Sequence, residues 1–252
     1  MRYSTLKEEK KLWKRGYRCV ACVDEVGRGP LAGAVVVCAV TINSKHEIRN
    51  TKQIPNPKFK IQNLKLRDSK KLSAKQRNEF YEILTAHSGV RWGIGIVSEK
   101  IIDTINIFQA TKLAMQKAVK NLEKKLQEQK YSNSYDRRNR STIDFLIVDG
   151  NSELRFKNIP CKAIVKGDEK VFSCAAASII AKVTRDKMML AYHKKYPQYG
   201  FDKHKGYGTR FHFQMLKKFG PSKIHRRSFD PLKSEIQISK SETNSKFKYP
   251  KF

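Results

Sequence analysis

Four acidic residues stand at places where a carboxylate can do chemistry. Asp24 and Glu25 follow the apolar run CVACV, Asp149 closes DFLIVD, and Asp168 lies three residues past CKAIV, in VKGDEK. These runs read as strands, and in open α/β sheets ligands bind at strand ends. If the first and fourth strands are neighbours, the four carboxylates converge. Each acid also has an ordinary reading: Asp149-Gly150 is a common turn signal, and GRGP is a weak turn pattern. Gathered together they are costly, because buried like charges need a compensating cation. Hard divalent ions, Mg2+ in particular, bind such oxygens while keeping waters and accepting phosphate oxygens from a substrate. Metal-assisted phosphodiester chemistry is the reaction class this implies.

The rest of the composition points the same way. The 252 residues carry 53 Lys and Arg against 23 Asp and Glu, a net charge of +30. So strong a positive potential suits nucleic acid first and an anionic membrane surface second. No apolar stretch is long enough to span a bilayer, and the opening MRYSTLKEEKKLWKRG is charged throughout, unlike a signal peptide. A soluble, cytoplasmic monomer is the expectation. Cys19, Cys22, Cys38, Cys161 and Cys174 are odd in number and lie mostly in apolar surroundings, which reads as reduced core thiols. Cys19 and Cys22 form C-x-x-C, but on a strand they point to opposite faces and no second pair follows at zinc spacing.

Positioning the acids requires a sheet. Apolar runs and their turns predict strands near 18–25, 33–42, 90–97, 143–149 and 161–165. Thr5 to Arg15 reads as a short charged helix; Ser73 with Gln76 three residues later opens a helix to about Ala86. Ile105 to Gln129 has the apolar spacing of a long amphipathic helix, and Val171 to His193 another, whose CAAASIIA half must be buried. The order predicts an α/β fold with a five-stranded mixed sheet flanked by helices. Residues 43–67, 130–142 and 231–252 read as loop-like or poorly ordered and basic. The chain is thus one catalytic domain over 1–230, with basic insertions near 43–67 and 126–142 and a disordered tail at 231–252.

Six ordered motifs carry a family resemblance: DEVGRGPLAGAVVVCAV, RDSKKLSAKQR, INIFQATKLAM, IVDGN, VKGDEKVFSCAAASIIAKVTRD and YPQYGFDKHKGYGT. From about Tyr17 to Arg227 the chain resembles ribonuclease HII. The resemblance implies an RNase H-like fold and endonucleolytic cleavage of RNA in RNA–DNA hybrids and of single ribonucleotides embedded in duplex DNA. Its catalytic, metal-binding acids fall on Asp24, Glu25, Asp149 and Asp168, with Mg2+ or Mn2+ as cofactor and 5′-phosphate and 3′-hydroxyl ends as products. Asp186 in VTRD is a nearby alternative to Asp168, set well inside a helix. Two ions are implied, one activating water and one stabilising the leaving O3′, with Asp24 a shared ligand.

The same resemblance assigns substrate binding to Gly27, Arg28 and Gly29, which lie beside the ribose, and to Tyr207 in HKGYGT. A missing Cβ lets a backbone approach a sugar, and a tyrosine offers a ring and a hydroxyl; a packed core tyrosine is the ordinary alternative. Ser69, Lys70 and Lys71 match a substrate-contacting loop, with Lys182 and Arg185 as similar candidates; a solvated basic flank is the alternative for the lysines. His204 reads as a surface or hydrogen-bonding residue rather than a proton carrier. Ahead of Asp24 there is room for one helix and a strand, whereas the sister ribonuclease HIII carries a separate N-terminal domain. Two rival readings stay open: a non-catalytic hybrid-binding protein, whose binding the acids would weaken, and an RNase H-like nuclease acting on DNA alone.

Overall fold

A computed structural model describes residues 3–42, 64–132, 142–150, 156 and 159–232. Five strands form one sheet: β1 (Val20–Val26), β2 (Val35–Ile42), β3 (Val90–Val97), β4 (Phe145–Asp149) and β5 (Cys161–Ile164), in the order β3-β2-β1-β4-β5. The first three make an antiparallel meander, while β4 runs parallel to both β1 and β5. The sheet is mixed, as the order of apolar runs predicts, and the first and fourth strands are neighbours.

Strand alternation divides the core. Val36, Cys38, Val40 and Ile42 of β2 face one apolar layer, and Val35, Val37 and Ala39 face the other. The second layer is closed by α3 (Glu99–Ser132), which covers the sheet with Ala110, Ala114, Ala118 and Leu122. Its small residues allow the helix axis close to β3, where a Cβ on Gly95 would come within 1.9 Å of the Ala114 carbonyl oxygen. The helix breaks at Asn106 (φ 65°), whose side chain accepts the Gln109 N–H at 3.0 Å. The helix expected from Ile105 is therefore the segment after this break, and it continues through Ser132 rather than giving way at Lys130.

The first layer is closed by α2 (Ala74–Ala86) and α5 (Phe172–Lys195). Ser73 and Gln76 form the expected reciprocal capping box on α2. No side chain caps α5 at Val171, and the cap comes from α1 (Lys7–Lys14) instead: buried Glu9 accepts from Ser173 N–H at 2.9 Å and Ser173 Oγ at 2.8 Å. Between β5 and α5 lies the single turn α4 (Gly167–Lys170). Past α5, the turn α6 (Phe201–His204) and the helix α7 (Arg210–Phe219) build a satellite core with Leu31, Met189, Tyr199 and Leu232.

Three expectations need correction or bounding. Cys22 and Cys174 are joined as a disulfide, Cα to Cα 5.1 Å, because Cys22 faces α5 from β1; only Cys19, Cys38 and Cys161 are free thiols. Leu64 and Leu66 are buried in the first layer, so the end of the 43–67 segment belongs to the core. The remaining basic stretches, 43–63, 133–141 and 233–252, lie outside the described residues. Among the described residues, no helix is long and apolar enough to cross a membrane.

Candidate active site

The parallel register of β1 and β4 pairs Val23 with Val148, which sets Asp24 next to Asp149 at the strands' C-terminal ends. Alternation turns Asp24 toward the same face as Val20 and Cys22, against α5. There it meets Ser178, whose hydroxyl bonds to it and also lies 2.9 Å from Ser69 Oγ. Asp149 Oδ1 accepts the Gly167 N–H at 2.5 Å, a contact that anchors the α4 turn to the end of β4. Asp168, the next residue, is thereby delivered to the same edge of the sheet.

Electrostatics show that the four acids form one group. Asp24, 7% exposed, is pushed well above the usual carboxylate range by burial, then by Asp149 and Glu25, and more weakly by Asp168. Burial also raises Asp168, to about 6, with Asp149 and Asp68 adding to it and Lys70 opposing. Glu25 is raised by burial despite Arg28, whose Nη1 donates to Glu25 Oε1 at 3.2 Å. Against burial and the neighbouring acids, the Ser178 hydroxyl holds Asp24 down. Asp186, by contrast, pairs with Lys182 at 2.8 Å inside α5 and takes no part in the cluster.

An all-oxygen donor set whose buried members repel one another fits a hard divalent cation. Among the described residues no three acids, histidines or cysteines already close on one point as a ligand set. Asp149 and Glu25 each spend an oxygen on a neighbour, Gly167 and Arg28, which spreads the carboxylates along the edge.

The loop after β1 brings the residues implied for ribose contact to this edge. Gly27 has φ +89°, and a Cβ there would lie 2.2 Å from Arg185 Nε, so the fold itself demands glycine. Gly29 faces open space, and a Cβ added to it would meet only the Tyr207 ring, at 3.9 Å. Tyr207 is 43% exposed. The structure thus brings Gly29 and Tyr207 together although 177 residues separate them in number and places neither ring nor hydroxyl in a core.

The remaining candidates occupy mixed surroundings. Ser69 is buried on Ser178, in a 3-10 turn whose N-terminal Asp68 accepts the Lys70 N–H at 2.8 Å. Lys71 is exposed and pairs with Glu169 at 2.6 Å. Lys182 is largely buried in its pair with Asp186. Arg185 is fully buried and cannot reach a phosphate: it donates to the carbonyls of Ala34, Lys205 and Ala32 at 3.0, 3.0 and 3.1 Å. A second buried arginine, Arg226, donates to Gly33, Arg28 and Gly27 carbonyls at 2.9, 2.8 and 2.6 Å. Ser178 and Arg226 escape sequence reasoning; a lone hydroxyl in CAAASIIA is the one legible hint of the first. His204 is a hydrogen-bonding residue, as read, with Nε2 2.7 Å from the Tyr199 carbonyl oxygen.

Known proteins resemble this chain in sequence and in fold. The family model described as Ribonuclease HII matches residues 21–231. Ribonuclease HII of Chlamydia muridarum is 47% identical over 224 residues, covering 89% of this chain and 88% of that one. Among solved structures, ribonuclease H2 from Pyrococcus horikoshii OT3 shares the fold with a TM-score of 0.60 at 23% identity, over 89% of this chain and 100% of that chain. Bst-RNase HIII in complex with Mn2+ gives 0.57 at 17% identity, over 89% and 71%. Because the match runs from β1 through α7 and includes every acid of the cluster, the chain belongs to the ribonuclease HII family of endonucleolytic hydrolases.

Proposed function

We propose that this endoribonuclease, which acts on RNA–DNA hybrids, cuts on the 5′ side of a phosphate held at the Asp24–Asp149 edge and leaves 5′-phosphate and 3′-hydroxyl ends. Single ribonucleotides embedded in duplex DNA belong to its substrates, which gives it a task in clearing them during replication and repair. The observation that carries this reading is the buried Asp24 beside Asp149, raised by burial and by the neighbouring acids.

Asp24, Glu25, Asp149 and Asp168 would hold divalent ions, Mg2+ or Mn2+, which when bound acidify a water and neutralise charge on the leaving oxygen. The rest is the work of this chain's own groups. Ser178 orients Asp24 by donating to it, and Ser69 steadies Ser178 from behind. Arg28 holds Glu25 at the rim. Lys70 and Lys71 draw the phosphate backbone toward the acids, while Lys182 is held in its buried pair with Asp186, and the +30 net charge makes that attraction dependent on salt. Gly29 and Tyr207 face the ribose from two sides, the glycine through its backbone and the tyrosine through its hydroxyl. Discrimination then follows from polar groups left unpaired when the 2′-hydroxyl is missing. The protein works as a cytoplasmic monomer.

A duplex DNA carrying one ribonucleotide, incubated with Mg2+ or with EDTA and followed by end mapping, tests this. Cleavage at the ribonucleotide with Mg2+ alone, and a 3′-hydroxyl on the upstream fragment, is expected. Cleavage in EDTA, or equal cutting of an all-DNA duplex, would overturn it.

A further inference from the structure

Beneath the Tyr207 loop three imidazoles pack together, away from the acids and outside the chemistry described above. His212 and His225 are buried, and their Nε2 atoms lie 2.9 Å apart. Two neutral rings at that distance need one donor and one acceptor, and their outer contacts decide which is which. The Ser222 N–H donates to His225 Nδ1 at 2.8 Å, so His225 carries its proton on Nε2. His212 Nδ1 faces the Tyr207 carbonyl oxygen at 2.9 Å and must donate, leaving its Nε2 as the acceptor. The result is a one-way chain from Ser222 through His225 and His212 to the backbone of Tyr207. Burial keeps both rings neutral, His212 near 4 and His225 near 3. His204 stacks on His212 with centroids 4.4 Å apart and accepts the Gly206 N–H on Nδ1 at 3.1 Å.

The chain ends next to the other half of the site. His225 is followed by Arg226, whose guanidinium holds the carbonyls of Gly27 and Arg28, and whose N–H donates to Leu31 at 2.8 Å. Leu31 in turn donates its N–H to the Gly206 carbonyl at 2.8 Å. One dipeptide therefore grips both segments: Arg226 takes the Gly27–Gly29 loop, and His225, through His212, takes Tyr207.

We propose that His225 and His212 are positioning residues that set the gap between Gly29 and Tyr207, and so the fit of a ribose between them. The inference rests on the assignment of Tyr207 to the ribose. Catalytic geometry is sensitive to small displacements, and a misplacement near 1 Å costs about 100-fold in rate.

The test uses amides that mimic one ring nitrogen at a time. His212→Asn keeps a donor where Nδ1 stands and so keeps the Tyr207 contact; His212→Gln moves the amide to the Nε2 position and loses it. Single-turnover cleavage of the single-ribonucleotide duplex is expected to fall about 10- to 100-fold in His212→Gln, with duplex Kd unchanged, and to be partly rescued in His212→Asn, which keeps the Tyr207 contact but loses the His225 link. In a Tyr207→Ala background, His212→Gln should slow the reaction no further. If His212→Gln does not fold, His225→Asn, which cuts the same link as His212→Asn while keeping an acceptor for Ser222, should show a loss like that of His212→Asn and the same non-additivity with Tyr207→Ala. Equal rates for His212→Asn and His212→Gln, or additive losses with Tyr207→Ala, would overturn the inference and leave the reading of Tyr207 standing. A wild-type rate in Tyr207→Ala alone would overturn that reading and the inference with it.

Discussion

Asp24 and Asp149 lie side by side on two parallel strands, one step beyond the Val23–Val148 pair. Burial and the neighbouring acids raise Asp24, so the folded chain is expected to carry a charge penalty that grows with pH. Asp168 is raised from 3.8 to about 6, and Asp24 is raised as well, by burial before anything else. A carboxylate with a raised folded pKa binds more protons folded than unfolded between those values. Its contribution is fully present below about 3.8 and lost as pH rises through about 6. A divalent ion held by these acids would take over from those protons. Melting curves should therefore show Mg2+ raising Tm at pH 8, with the gain shrinking at pH 5. An Mg2+ effect equal at both values, or retained in full by Asp24→Asn, would contradict this.

The imidazoles beneath Tyr207 carry the opposite sign. His212 and His225 are lowered from 6.5 to about 4 and about 3 by burial, so the unfolded chain binds more protons in that window. Their contribution is complete above pH 6.5 and is lost as pH falls toward those lower values. Replacing His225 by Gln removes one such group. The stability gap between wild type and His225→Gln should narrow as pH drops from 7.5 to 5, by up to about 2 kcal/mol at about 1.4 kcal/mol per pH unit. Urea titrations at the two pH values measure it, and a constant gap would show that His225 titrates normally in the fold.

Arg226 should be intolerant of even a charge-conserving change. Its planar fork serves the carbonyls of Gly27, Arg28 and Gly33, and a lysine offers one compact point charge instead. Arg226→Lys is expected to cost roughly 2–4 kcal/mol, since buried carbonyls lose charged donors. The urea midpoint reads this directly; an unchanged midpoint would mean that water replaces the guanidinium without loss.

Much of the scaffold was legible because its signals are local. Apolar runs bounded by turns locate all five strands, and Ser73 with Gln76 locates the start of α2. The acids could be picked from their place after those runs, yet their convergence depended on β1 lying beside β4, a long-range pairing that no periodicity encodes. The helix α7 went unread because its buried face is His212 and Leu216, and histidine does not register as apolar. The burial of Arg185 and Arg226 was hidden for a related reason: each is covered by backbone carbonyls from distant loops, and a basic residue in a basic chain looks like surface. Likewise, Cys22 and Cys174 stand 152 positions apart, and only the packing of α5 on β1 brings them together.

Asp149→Asn gives the sharpest separation of charge from structure. The asparagine oxygen can still accept the Gly167 N–H that Asp149 now takes at 2.5 Å, so the α4 turn and Asp168 should stay in place. What disappears is one negative charge beside Asp24. Under single-turnover conditions with Mg2+, cleavage of a duplex containing one ribonucleotide should fall by more than the roughly 10- to 100-fold typical of residues behind a metal ligand. The Kd for the same duplex should be equal or tighter, because one repulsion with phosphate is removed. Cleavage at the wild-type rate by a folded Asp149→Asn protein would contradict the assignment of these paired strand-end carboxylates to the reaction.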